Sequence, residues 1–180
     1  TAAYVNSSSY STVSNSVFDS GTLDLEVWFS DQFELMDVEF HAAAIELYVR
    51  NCSSFFADGL TALKGMDGIH LYYSNNSEIH NANFATDYRA LNAYESHSLR
   101  LTDSRFSNRI GSPCLRVTQC SEVTFSNILV NDTQATAIEV TNTPAFNLEQ
   151  SVISNIGGGG GGAIELASSD HAEISSSVIE

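Results

Sequence analysis

Three tyrosines, Tyr48, Tyr72 and Tyr94, recur in the middle of the chain, separated by 24 and then 22 residues. The predicted neighbours of these tyrosines carry a carboxylate, an imidazole, an amide and a guanidinium. Such groups form hydrogen bonds or ion pairs with polar ligands. Flat aromatic rings next to these groups suit a bound sugar chain. The alternative is that tyrosine favours strands and stacks on itself for stability alone. The predicted ligand-binding residues are Glu46, Tyr48, His70, Tyr72, Asn92, Tyr94 and Arg116.

Acidic side chains near the start of this set point to a second kind of ligand. Asp24, Glu26 and Glu46 are predicted to lie on neighbouring strands, where like charges about 5 Å apart destabilise one another. Oxygen-rich clusters of this kind suit Ca²⁺. We therefore expect either a calcium site at these three residues or solvated surface charge. No other cofactor is expected, because the sequence has no Cys-x-x-Cys or His-x-x-x-His pair.

Charge is distributed unevenly along the chain, whose formal net charge is −15. Residues 1–49 contain 8 acidic and no basic side chains, and residues 117–180 contain the same numbers. All 7 basic residues lie between positions 50 and 116, together with 6 acidic ones. This excess of negative charge argues against nucleic acid and anionic membrane surfaces as partners. No apolar stretch is long enough for a transmembrane helix.

A repeat of about 22 residues positions these side chains. Apolar residues occupy the first position of every coil and also the positions 2, 10 and 15 residues later. Apolar residues two positions apart within a coil indicate a β-strand with one side facing the core. The residues between and beside them, including the tyrosines, are therefore predicted to face the outer surface. The predicted coil starts are Ala3, Leu23, Ile45, Ile69, Leu91, Leu115, Ile138 and Ile164.

Three short strands per coil, stacked at about 4.8 Å, form a solenoid. Over all eight coils the sequence resembles the right-handed parallel β-helix of the pectate-lyase-like superfamily. The resemblance implies an all-β fold, a right-handed single-stranded parallel β-helix, as a single domain over residues 1–180. A leucine-rich repeat is disfavoured, because no coil has the L-x-x-L-x-L pattern.

Residues 67–91 are similar to the part of polygalacturonases in which a DGI-type strand leads to a catalytic GDDC-like turn. Only Asp87 provides an acid at the corresponding turn, and the family's later Gly-His-Gly turn is absent. Glycoside hydrolysis uses two carboxylates, so we expect binding rather than catalysis. A lyase would instead use a basic residue as proton acceptor. For an enzymatic alternative the resemblance leaves Asp87, Arg89 and His70 as candidates.

Two further patterns concern the frame of the coils. Asn15, Asn81, Asp103 and Asn127 recur twelve residues after a coil start and predict a corner. Six consecutive glycines at positions 157–162 predict a surface turn. The three cysteines are predicted to be unbridged, because their positions in the coils place them too far apart for a disulfide. They are Cys52, Cys114 and Cys120.

The sequence favours an extracellular or cell-surface protein, since it is rich in small polar residues and has one lysine. Gly161–Ile164 and two Phe-Ser-Asn segments are similar to repeats of polymorphic outer-membrane adhesins. Neither end shows a helical cap, so we expect end-to-end self-association or continuation in a longer chain. The first hypothesis is a non-enzymatic structural or adhesive β-helix of a surface filament or envelope. The alternative is a β-helix that binds or cleaves an acidic polysaccharide.

Overall fold

The computed structural model describes residues 2–19, 21–41, 44–157 and 162–180. In these ranges it has 22 β-strands, and their pairings are all parallel. Each of the eight coils carries strands on three faces, which confirms the predicted all-β solenoid. In the ranges given above, no helix is long and apolar enough to cross a membrane.

Face A contains one strand from each coil and runs the length of the molecule. Its parallel strands bury one side against the core and present the other to solvent. In order they are β1 (Ala3–Asn6), β3 (Leu23–Trp28), β5 (Ile45–Arg50), β8 (Asp67–Tyr72), β11 (Leu91–Tyr94), β14 (Leu115–Thr118), β17 (Ile138–Thr141) and β20 (Ile164–Ala167).

Faces B and C close the coil behind face A. In the first two coils they are continuous, because β2 (Ser11–Asp19) and β4 (Phe33–His41) each bend around the corner between them. Face B continues in β6 (Phe55–Asp58), β9 (Ser77–His80), β12 (His97–Thr102), β15 (Ser121–Ser126), β18 (Ala145–Glu149) and β21 (His171–Ser175). Face C continues in β7 (Thr61–Ala62), β10 (Asn83–Thr86), β13 (Arg105–Asn108), β16 (Leu129–Thr133), β19 (Val152–Ile156) and β22 (Val178–Ile179).

The strand register differs from the predicted one in the second and third coils. Ala3 pairs with Leu25 and not with Leu23, and Leu47, not Ile45, pairs with Ile69. The true starts of these coils therefore lie two residues later than predicted. A shift of two residues keeps every side chain on the same side of its strand, so the apolar pattern could not distinguish the two registers.

The structure also overturns the predicted surface position of Asp24 and Glu46. Both side chains are fully buried, at 0% exposure. They are the second residues of β3 and β5, and in the true register they occupy the column just before the coil starts. Gly65 packs against the Glu46 carboxylate. The other members of this column are small: Ala2, Gly68, Ala90, Cys114, Ala137 and Ala163.

The corner between faces B and C confirms the predicted column of asparagines. Left-handed backbone is favoured at asparagine, aspartate and glycine, and every coil places one positive-φ residue here. At Gly59, with φ of 70°, an added Cβ would come 2.6 Å from Asp37 Oδ1. The column is Asn15, Asp37, Gly59, Asn81, Asp103, Asn127, Gln150 and Ser176.

The core contains stacked aromatic side chains and the three cysteines in addition to its aliphatic residues. Phe33 stacks on Phe55 with ring centroids 6.4 Å apart, and Phe84 stacks on Phe106 at 6.3 Å. All three cysteines are free, as predicted, and they are buried. Burial raises the pKa of Cys114 to about 12, so this thiol packs as an apolar group rather than acting as a nucleophile.

The predicted glycine turn falls mainly on residues 158–161, outside the described residues.

Candidate functional site

A cleft of about 360 Å³ opens on the outer side of face A in the middle coils. Strands β8, β11 and β14 supply most of its lining, and the segment before β11 adds Arg89. Inward neighbours such as Leu71, Ala93 and Val117 are fully buried. Strand alternation therefore turns the residues between them toward the cleft. Its lining residues are Tyr72, Arg89, Asn92, Tyr94, Arg116 and Thr118.

Asp67, at the first position of β8, anchors Arg89 at one side of the cleft. Asp67 Oδ1 accepts hydrogen bonds from Arg89 Nε and from the Arg89 backbone N–H, both at 3.2 Å. His70 Nε2 lies 3.7 Å from Asp67 Oδ2. Burial alone would raise the pKa of Asp67, but His70 and Arg89 outweigh it and lower that pKa. The carboxylate is thus ionised and engaged by the guanidinium.

A second set of contacts orients Tyr72 at the floor of the cleft. Asn92 Nδ2 donates to the Tyr72 hydroxyl at 2.8 Å, and the same hydroxyl lies 3.4 Å from His70 Nδ1. His70 is 6% exposed and Asn92 is 8% exposed. Burial, followed by the nearby Tyr48, raises the pKa of Tyr72. The phenol therefore stays protonated at neutral pH and can act as a hydrogen-bond donor.

Arg116 lines the other side of the cleft. Its Nη2 donates to Glu139 Oε1 at 3.1 Å, and its side chain remains 40% exposed. Arg89 and Arg116 each use one nitrogen in an ion pair, which leaves further N–H donors for a ligand. Two guanidinium groups, an amide and a phenol therefore surround one opening on a protein whose net charge is strongly negative.

The predicted tyrosine ladder forms, although Tyr48 belongs to a different column. In the true register Tyr48 pairs with His70, while Tyr72 pairs with Tyr94. Tyr48 nevertheless stacks on Tyr72 at 5.4 Å, and Tyr72 contacts Tyr94 at 6.1 Å. The Glu95 carboxylate, accepting a hydrogen bond from Tyr94, raises the pKa of Tyr94 to about 12. The three rings form one continuous, half-exposed surface.

Most of the predicted binding residues meet at this cleft. Tyr72, Asn92, Tyr94 and Arg116 line it, and Tyr48 and His70 pack against Tyr72. Glu46 does not line it.

Glu46 is instead buried at the second residue of β5, so close to Gly65 that a Cβ added there would overlap its carboxylate. Sequence reasoning missed Asp67. Its signal was available in the Asp-Gly-Ile-His segment, where the acid precedes His70 by three positions.

The remaining candidates are placed as follows. Arg89 joins the cleft, while Asp87 lies two residues earlier, and its backbone N–H donates to Gly65 O at 2.8 Å. The Asp87 side chain is half-exposed and is not among the residues that line the cleft. Of the predicted calcium ligands, Asp24 and Glu46 are buried, whereas Glu26 is half-exposed on face A. The described residues contain no group of three or more histidines, cysteines or acids that could hold a metal ion.

The comparison with protein families agrees with this architecture. The model for the right-handed beta helix region matches residues 2–179. Comparisons with curated proteins and with solved structures gave no significant match. Since the family match covers nearly the whole chain, and the strands stack in parallel coils, the protein belongs to the right-handed β-helix family.

Proposed function

We propose that this β-helix binds an acidic polysaccharide in the face A cleft and serves outside the cell as a non-enzymatic adhesive element. The observation that carries the proposal is the convergence of Arg89, Arg116, Asn92, Tyr72 and Tyr94 on one opening. Guanidinium groups recognise carboxylates through paired hydrogen bonds. The half-exposed tyrosine rings offer apolar surface to the apolar faces of sugars, and the phenol and amide can form hydrogen bonds with sugar hydroxyls.

Binding without cleavage is favoured because the acidic side chains around the cleft are held in ion pairs with arginines. Asp67 is held by Arg89 and Glu139 by Arg116. Glycoside hydrolysis requires one protonated and one free carboxyl group flanking the scissile bond. A lowered pKa makes Asp67 a poor proton donor. Both acids therefore position arginines and do not form a catalytic pair.

Titration of digalacturonate by calorimetry tests the proposal. Arg116→Gln removes one of the two guanidinium groups that would bind the ligand's carboxylate. We expect this substitution to weaken binding about tenfold, equivalent to about 1.4 kcal/mol. Arg100→Gln is the matched control, because Arg100 is an exposed arginine on β12 of face B. Equal losses in the two variants would mean that the cleft is not the site. A neutral oligosaccharide of the same length reports the contribution of charge.

Cleavage by a lyase reaction is the alternative favoured by one observation, the chain of contacts from Tyr72 through His70 to Asp67. Phenol and imidazole groups so arranged can transfer protons at a sugar ring. Ultraviolet detection of unsaturated products in the same titration samples distinguishes the two functions. Products that appear with the wild-type chain and disappear with His70→Gln would replace the adhesive proposal by an enzymatic one.

A further inference from the structure

Five aromatic side chains form a continuous path along face A, here called the aromatic track: Tyr4, Trp28, Tyr48, Tyr72 and Tyr94. Successive ring centroids lie 6.4, 6.4, 5.4 and 6.1 Å apart. The track crosses five coils, which at about 4.8 Å per coil corresponds to about 19 Å along the axis. Its last two members line the cationic cleft, so the track and the cleft form one surface.

The far end of the track is open to solvent. Tyr4 is 52% exposed, and Trp28 beside it is half-exposed. Phe29 and Tyr73 flank the track from the adjoining corner, with φ of 52° and 54°. Bulky aromatic residues are disfavoured in such left-handed backbone. Large exposed aromatic groups on a soluble protein mark interaction surfaces.

Charge divides this surface into two zones. The zone at the cleft contains Arg89 and Arg116. In the other zone, Glu26 lies between Tyr4 and Tyr48 in the strand register. No basic residue occurs in residues 1–49. Arg50 follows at the boundary and is engaged by two rings, 5.3 Å above Trp28 and 5.6 Å above Tyr73.

We infer that the aromatic track extends the cleft into a site for a partly acidic glycan, which rests on the proposed function. An anionic sugar occupies the cleft between Arg89 and Arg116, and neutral sugars pack along the exposed parts of the Tyr48, Trp28 and Tyr4 rings. Glu26 repels a carboxylate at this end but accepts hydrogen bonds from the hydroxyls of a neutral sugar. A uniformly acidic chain would match the cleft and clash electrostatically with the far end of the track.

Three oligosaccharides of known structure separate the two zones. Digalacturonate is short enough to occupy the cleft alone, so its affinity reports on the cleft. A xylo-oligosaccharide carrying one glucuronic acid supplies both neutral and acidic sugars, and the unsubstituted xylo-oligosaccharide supplies only neutral ones. We expect the wild-type chain to bind the mixed oligosaccharide more tightly than either of the other two probes.

The decisive variant is Tyr4→Ala, with Tyr10→Ala as its control. Tyr10 is 56% exposed in the same coil but lies outside face A. Tyr4→Ala should weaken the mixed oligosaccharide about fivefold and leave digalacturonate unchanged, whereas Tyr10→Ala should change neither. Trp28→Ala is the second variant, with unfolding temperature recorded to confirm that each chain is folded.

The possible outcomes distinguish failure of the extended site from failure of the proposed function. If digalacturonate binds and Arg116→Gln weakens it, but Tyr4→Ala and Trp28→Ala leave the mixed oligosaccharide unaffected, the extended site is wrong and the cleft stands. Equal weakening of digalacturonate by Tyr4→Ala would also overturn the division into zones. If neither acid-bearing probe binds the wild-type chain, the proposed function fails and the extended site fails with it.

Discussion

At the residue scale, the central feature is the way Asp67 makes Arg89 available to a ligand. One carboxylate accepts both the Arg89 Nε–H and the Arg89 backbone N–H and approaches His70 from the other side. The arginine is thus fixed at its root, and less side-chain entropy is lost when its remaining donors bind a carboxylate. This arrangement explains why a solvent-facing guanidinium can act as a defined recognition element.

The lowered pKa of Asp67 makes the stability of the protein depend on pH. The folded pKa lies below the ordinary value of 3.8, so Asp67 contributes stability above that value and loses it as pH falls through the folded pKa. We expect Asp67→Asn to reduce the unfolding temperature at pH near 6 and to flatten its decline at lower pH. Thermal unfolding followed by circular dichroism across this range measures both effects. Parallel pH curves for the wild-type and variant chains would contradict the assignment.

At the scale of elements, the corner between faces B and C determines how regularly the coils stack. Eight successive left-handed residues turn the chain at the same place, and amide side chains bond from one coil to the next. Asn81 Nδ2 donates to Asp58 Oδ1 at 2.7 Å. The strands on both sides of the corner consequently keep their register, which places the face A residues of successive coils above one another.

Gly59 provides a direct test of this corner. Gly59→Ala introduces a Cβ at positive φ and 2.6 Å from Asp37 Oδ1, and we expect it to lower the free energy of unfolding by about 1–2 kcal/mol. Gly111→Ala is the matched control, because nothing lies within 4 Å of a Cβ added there. Urea unfolding of the two variants gives the comparison. A larger loss at Gly111 than at Gly59 would show that the corner is not constrained in this way.

At the scale of the whole molecule, charge is arranged along the axis of the β-helix. Basic groups occur only between positions 50 and 116, and both flanking segments are acidic. Glu139 and Glu165 pair directly in the face A register. A molecule with this pattern repels an anionic ligand from both ends and repels it least in the middle, where the arginines lie. End-to-end association, which we propose as one mode of self-assembly, would bring acidic coils together and so require cations.

Self-repulsion of the acidic coils predicts that salt stabilises the protein. Raising sodium chloride from about 10 mM to about 150 mM shortens the Debye length to about 8 Å, and we expect the unfolding temperature to rise. Glu165→Gln should reduce this salt dependence, since it removes one partner of the Glu139–Glu165 pair. Scanning calorimetry at several salt concentrations measures the effect. An unfolding temperature that is independent of salt, or equally dependent in the variant, would contradict it.

The sequence by itself determined the number of coils, the strands on three faces, the asparagine corner, the free thiols and most of the cleft residues. These follow from period-two alternation and from residue types with strong backbone preferences, which are local properties. Register in the second and third coils was decided only by the tertiary structure, because a shift by two residues leaves inward and outward positions unchanged. That shift placed Tyr48 beside His70 and brought Trp28 into the aromatic track. Only the tertiary structure, in turn, showed that Asp24 and Glu46 are buried. The Asp67–Arg89 ion pair joins residues 22 positions apart, and only the stacking of coils brings them into contact.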